Sequence, residues 1–206
     1  MFKRTFFLLM IGLLLSVNVN ATEDTRILLL GDSLSASYGM KQNQGWVHLL
    51  NQQLKTKNKG YQIINASISG ETTGGGLSRL PGILSKEKVD YLLVELGGND
   101  GLRGFPADLI KNNLLQIIKL AKAEDIKVYL MEIKIPPNYG PRYNKMFEAV
   151  FTSVAKETDV PLLPFFIESI AVHPELMQSD GIHPTIEAQP QIVEIMEQKL
   201  QKMIEG

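Results

Sequence analysis

The sequence predicts an α/β protein: a single three-layer α/β/α domain around a five-stranded parallel sheet. Three observations carry that expectation. Short runs of apolar, β-favouring residues alternate five times with longer segments whose apolar residues recur at helical spacing. The connections are long enough to cross a sheet face and return in parallel. The strand candidates are also almost continuously apolar, as strands covered on both faces are, rather than alternating apolar with polar.

The first strand is Ile27-Leu28-Leu29-Leu30, which ends at Gly31 with Ser33 two positions beyond. Trp46, Val47, Leu49, Leu50 and Leu54 then fall at helical spacing, with Lys55, Lys57 and Lys59 towards the end, where cations suit the helix dipole. Residues 61–66 make a second strand, closed by Ser67-Ile68-Ser69-Gly70. A helix follows over residues 71–84, its bounds blurred by Gly74-Gly75-Gly76 and Pro81-Gly82. The third strand, residues 90–96, runs into Gly97-Gly98-Asn99-Asp100, which reads as a loop. Leu109, Ile110, Leu114, Ile117, Ile118 and Ala121 mark the next helix, with Pro106 in its approach. Residues 128–133 form the fourth strand, residues 136–141 a Pro-rich loop, and residues 143–157 a helix. Residues 161–165 form the fifth strand. The last helix spans about residues 187–203, with Pro190 tolerated if it lies in the first turn. With no repeat, low-complexity tract or linker in sight, one domain is the economical reading.

At 206 residues, 44% hydrophobic and formal net charge -1, the chain has enough apolar content for a sizeable core and no basic patch suited to nucleic acid. It has no cysteine, which rules out disulfides and thiolate metal sites. Lys3 and Arg4 precede the apolar run of residues 6–15, and Val19-Asn20-Ala21 supplies small residues at cleavage spacing. Residues 1–21 therefore read as a secretory signal peptide and residues 22–206 as the mature domain. The alternative is an N-terminal membrane anchor, but the run is about half of the ~20 residues that a spanning helix needs. The expected product is exported, periplasmic or secreted, with no stable membrane anchor once the leader is removed.

In open parallel sheets, ligands bind beyond the carboxyl ends of the strands. The polar punctuation after each strand would converge there. A serine at such an edge is a nucleophile only with a base, an orienting acid and oxyanion donors; without them it is an ordinary turn residue. The chain has three histidines. His48 lies inside a helix and His173 in a connecting segment, where structural and surface roles are the ordinary ones. His183 stands in Ser179-Asp180-Gly181-Ile182-His183-Pro184, so one tight turn can hold the Asp180 carboxylate against the imidazole. Metal ligation by Asp180 and His183 is a weaker alternative, because no other histidine is suitably spaced. Asn99 is a fitting amide donor to an oxyanion, and the Gly70 and Ser33 N–H groups are fitting backbone donors. The catalytic expectation is Ser33, Asp180 and His183, with no metal and no cofactor.

These residues stand in blocks, Gly31-Asp32-Ser33-Leu34-Ser35, Gly70, Gly97-Gly98-Asn99-Asp100 and Asp180-Gly181-Ile182-His183, that resemble the four motifs of the SGNH (GDSL) hydrolases. Residues 65–70, 93–105 and 160–166 are similar to the periplasmic thioesterase I, lysophospholipase and arylesterase branch, and the likeness spans essentially the whole mature chain. It implies a flavodoxin-like SGNH fold, with Ser33 as nucleophile, His183 as base and Asp180 as its orienter. It also implies an oxyanion hole of the Ser33 and Gly70 N–H groups and the Asn99 side chain, with Asp32 and Asp100 mainly architectural. Relatives tend to have glycine where Ser37 stands. In that branch the loops around residues 101–106 and 133–143 line an acyl pocket, which brings in Leu102, Phe105, Ile135 and Tyr139 as substrate-binding residues. The implied activity is hydrolysis of small acyl esters and thioesters, lysophospholipid among them, through an acyl-serine intermediate. A carbohydrate acetylesterase on the same scaffold is the alternative. A monomer is expected, and no nucleic-acid partner.

Overall fold

Ile27, Leu28, Leu29 and Leu30 are almost wholly buried, and the strand they belong to is the middle of the molecule. The computed structural model describes residues 24–205; the expected leader lies outside them. The five strands are β1 (Thr25–Gly31), β2 (Tyr61–Asn65), β3 (Tyr91–Glu95), β4 (Lys127–Met131) and β5 (Leu162–Leu163). They form one sheet in the order β2-β1-β3-β4-β5, every pairing parallel. The α/β expectation holds, as does the strand count.

The helices are α1 (Trp46–Thr56), α2 (Thr73–Leu84), α3 (Gly98–Leu102), α4 (Ala107–Ala123), α5 (Pro141–Thr158), α6 (Glu168–Ala171) and α7 (Gln189–Glu205). α1 packs against α7, and α4 against both α2 and α5, giving the two helical layers that sandwich the sheet. The apolar spacing explains which side each helix buries: Trp46, Leu50 and Leu54 recur every four residues on the inner stripe of α1. At about 1.5–3 kcal/mol for each large side chain taken from water, such stripes and the β1 and β3 aliphatics dominate the stabilisation.

Two elements differ from expectation. β5 is two residues long rather than five, because Pro161 and Pro164 flank it and neither has an N–H to give to the ladder. Residues 98–102, read as a loop from their glycines, form the single-turn helix α3, entered through Gly97 at φ 120°. The α3 turn is held by packing, not propensity: a Cβ on Gly101 would lie 2.7 Å from Phe147 and 2.9 Å from Ile135. α2 continues through Pro81, anchored by the fully buried Leu80 and by Thr72, whose hydroxyl accepts the Gly75 N–H at 3.2 Å. In α7, Pro190 does fall in the first turn, where a missing N–H costs little.

β1 has β2 on one side and β3 on the other, so the chain leaves β1 in one direction and later returns on the opposite side. A crevice opens where the strand order reverses, beyond the carboxyl ends of β1 and β3. Ser33 follows one of these strands and Asn99 the other.

Candidate active site

The turn after β1 is built from its own sequence. The Asp32 carbonyl accepts the N–H groups of Ser35 and Ala36, and its carboxylate accepts the Leu34 N–H at 3.1 Å. Trp46 donates its indole N–H to the Leu34 carbonyl at 3.2 Å, and Asn65 donates its amide to the Ser35 carbonyl at 2.8 Å. Two neighbouring elements thus clamp the turn that presents Ser33. Ser37, where relatives tend to carry glycine, has φ 61°, so the left-handed backbone is retained here by a serine.

His183 approaches from the far end of the chain, 150 residues away in sequence. Its Nε2 lies 2.8 Å from Ser33 Oγ, and its Nδ1 lies 2.7 Å from Asp180 Oδ2. An ionised carboxylate only accepts, so Nδ1 carries the proton and Nε2 is left to accept from the serine hydroxyl. Asp180 also takes the N–H groups of Ile182 and His183 on Oδ1, at 2.9 and 3.0 Å. Burial pushes the Asp180 carboxyl up, but the hydrogen bonds from His183 and Ile182 outweigh it and hold the group below its ordinary value. Asp180 therefore stays charged through the neutral range and the tautomer is fixed. The segment is braced by the bridge between Met177 and Pro184 and by Gln178, which donates its amide to the carbonyls of Pro184 and Tyr38. The Tyr38 ring lies over the His183 imidazole, centroids 4.1 Å apart at 28°.

Asn99, on α3, lines the same groove as Ser33. Its amide donates to the Glu71 carbonyl at 2.9 Å and, over a longer 3.3 Å, to Asp32 Oδ2. Gly70 has φ 80°, which glycine adopts freely, and its carbonyl accepts from Arg103 at 3.1 Å. Among the described residues neither the Ser33 nor the Gly70 N–H has a protein acceptor. The edge thus offers two unpaired backbone donors, while the Asn99 amide beside them is held by the Glu71 carbonyl and the Asp32 carboxylate. Asp100 is buried and ties α3 to the start of α2 through the Thr73 N–H and hydroxyl.

A groove of about 420 Å³ opens from Ser33 and His183, in the range of small-molecule sites, with mostly apolar walls that include Ile133, Pro136, Phe165, Ile167 and Val172. Leu102 and Ile135 line it as expected; Phe105 and Tyr139 do not. Phe105 is half-buried against the core, and the exposed Tyr139 turns its hydroxyl onto the Leu102 carbonyl at 3.0 Å. His48 is exposed on α1, and His173 faces Glu175 at 3.3 Å. No cluster of three or more metal-ligating side chains occurs among the described residues.

Three residues escaped the sequence reading. Tyr38 and Gln178 have no local signal, since each acts through a fold contact with the histidine turn. Glu95 does have one: it is the single charge in the run Leu92-Leu93-Val94-Glu95-Leu96, and it is 1% exposed, with its Oε2 accepting the Ser35 hydroxyl at 2.8 Å and the Asp32 N–H at 3.2 Å.

Residues 29–189 match the model of the GDSL-like lipase/acylhydrolase family. Over 184 residues the chain is 48% identical to thioesterase 1/protease 1/lysophospholipase L1 of Escherichia coli strain K12, covering 89% of this chain and 86% of that protein. It is 44% identical to an arylesterase of Vibrio mimicus, over 95% of this chain and 98% of the other. Among solved structures, the psychrotrophic esterase EstA from Pseudoalteromonas, inhibited by monoethylphosphonate, superposes with a TM-score of 0.87 at 46% identity, covering 89% of this chain and all of that one.

Proposed function

Since this chain belongs to the GDSL-like lipase/acylhydrolase family and is an acyl-ester and thioester hydrolase of it, we propose that it acts through an acyl-serine intermediate on Ser33. One observation carries the proposal: an unbroken relay from Asp180 through His183 to Ser33, with contacts of 2.7 and 2.8 Å. His183 takes the Ser33 proton as Oγ attacks the acyl carbonyl. The oxyanion forms between the Ser33 and Gly70 N–H groups and the Asn99 amide. Collapse expels the alcohol or thiol, which leaves with the proton held by His183. Water then attacks the acyl-serine with His183 again as base, and the free acid departs.

The apolar groove is the basis for reading the substrates as medium to long acyl esters and thioesters, with lysophospholipid in the same class. The relative named for thioesterase and lysophospholipase activities supports that range. The protein is further read as an exported monomer whose leader ends at Ala21, periplasmic or secreted; N-terminal sequencing of the mature chain checks the cleavage site. The described residues include no helix long and apolar enough to cross a membrane.

Hydrolysis of aryl esters and acyl thioesters from acetyl to palmitoyl tests the substrate reading. Each methylene buried in the groove is worth up to about 0.8 kcal/mol, so kcat/KM should climb by as much as about fourfold per carbon until the groove is full. Activity confined to acetyl esters would replace this reading with the carbohydrate acetylesterase.

A further inference from the structure

Beneath the nucleophile lie two carboxyl groups that take no part in the acyl transfer. Asp32 is 2% exposed and Glu95 1%, and the Asp32 N–H donates to Glu95 Oε2 at 3.2 Å, which sets the two carboxyl groups side by side in the core. Two ionised carboxylates cannot share such a site, because both would be acceptors with like charge and neither would be solvated. The surrounding bonds say where the missing donor is. Glu95 Oε2 is fully occupied, accepting the Asp32 N–H and the Ser35 hydroxyl. Glu95 Oε1 is buried with no partner when counted as an acceptor. A proton on that oxygen turns the orphan acceptor into a donor, which the Asp32 carboxylate beside it can accept.

Asp32 in turn holds what the reaction needs. Its Oδ1 accepts the Leu34 N–H, fixing the turn around Ser33, and its Oδ2 accepts the Asn99 amide. The fit is close: a Cβ on Gly31 would come within 2.5 Å of Glu95 Oε2 and 2.7 Å of the Ser67 hydroxyl, so the glycine before Asp32 is what admits the Glu95 carboxyl.

We propose that Asp32 and Glu95 share one proton, and that this carboxylic acid–carboxylate pair is a positioning unit which aims Asn99 and the Ser33 turn. The inference rests on the reading of Asn99 as an oxyanion donor. The groups facing the pair are Ser35 from the nucleophile turn, Ser67 beyond β2, Asn99 from α3 and His183 from the C-terminal turn; none is a cation on the Glu95 side, and His183 acts on Asp32. Burial raises both carboxyls, Asp32 to about 6 and Glu95 well above its ordinary value with Asp32 adding to the rise. On this proposal the proton stays on the pair at neutral pH and leaves it as pH rises into the alkaline range. Release leaves two buried negative charges, and Asp32 then tightens on the Asn99 amide at the expense of the oxyanion.

The test is the pH profile of kcat and KM for the full mature chain carrying Glu95→Gln, Glu95→Ala or no change. Gln is the isostere of the protonated acid: its amide donates to Asp32, its carbonyl accepts from Ser35 and Asp32, and it does not titrate. The wild type should lose kcat on the alkaline side with KM nearly constant. Glu95→Ala should lose kcat at least tenfold at pH 7, and Glu95→Gln should recover most of that loss and abolish the alkaline limb. An alkaline limb that persists in Glu95→Gln, or a Gln variant as impaired as the Ala variant though equally well folded by circular dichroism, overturns the shared proton. Asn99→Ala separates the two readings: if it costs nothing, the oxyanion assignment fails first, whatever the Glu95 variants do.

Discussion

Replacing Asn99 by Ala removes the side chain proposed as an oxyanion donor and leaves the Asp180, His183 and Ser33 relay intact. A preorganised donor to an oxyanion is worth roughly 100- to 1000-fold, so kcat should fall by that factor while KM moves little. Steady-state kinetics on one aryl ester checks it, and a loss of only a few-fold would leave Asn99 as the strut its bond to the Glu71 carbonyl already makes it. The residues proposed for the chemistry are legible in the sequence because their types are constrained: a serine at a strand end, an Asp and His three apart, an amide after two glycines. Tyr38 is not legible there. Its place over the imidazole depends on where residue 183 arrives, and nothing within a few positions of residue 38 records that.

At the scale of elements, α3 shows how packing overrides local propensity. Its sequence, Gly98-Asn99-Asp100-Gly101-Leu102, is poor helix material, yet the turn exists because Gly101 lets it press against Phe147 and Ile135. Gly101→Ala should gain helix propensity and still lose stability, by about 1–3 kcal/mol, since the added methyl overpacks the contact with Phe147. Because α3 carries Asn99, kcat should fall as well. Urea unfolding and kinetics on the same preparation test both; a variant as stable and as fast as wild type would mean that the α3 packing does not set the site. The shortening of β5 has the opposite lesson. Pro161 and Pro164 are plain in the sequence, and their missing N–H groups are enough to bound the strand at two residues.

For the whole molecule, the buried pair beneath Ser33 links folding to pH. A proton shared by Asp32 and Glu95 in the folded protein is one that two ordinary carboxyl groups of the unfolded chain have released by neutral pH, and burial raises both groups on folding. With folded values above unfolded ones, the stability is complete below the ordinary carboxylate range and is lost as pH rises towards the folded values, by at most about 1.4 kcal/mol per unit for one proton. Asp180 has the opposite sign, its contribution present at neutral pH and lost only as pH falls below the ordinary carboxylate value. Thermal unfolding from about pH 5 to about pH 9 should therefore show a fall in Tm that is shallower in Glu95→Gln; parallel curves would rule out the proton uptake. The fold itself is open to reading as far as strand count and layers, because periodicity and apolar runs report burial. The groove walls are less so: Leu102 and Ile135 line the cavity while Phe105 packs on the core and Tyr139 bonds the Leu102 carbonyl, a difference of side-chain direction that loop composition does not encode.

The nucleophile is the claim on which the rest depends, and its most direct test is covalent. An aryl phosphonate ester offered to the mature protein should inactivate it with one equivalent bound, phenol released, and the phosphonyl mass found on the peptide containing Ser33; Ser33→Ala should take up no label and have no esterase activity. Label on another residue with full inactivation, or a Ser33→Ala variant that hydrolyses esters at the wild-type rate, would contradict the account at its centre.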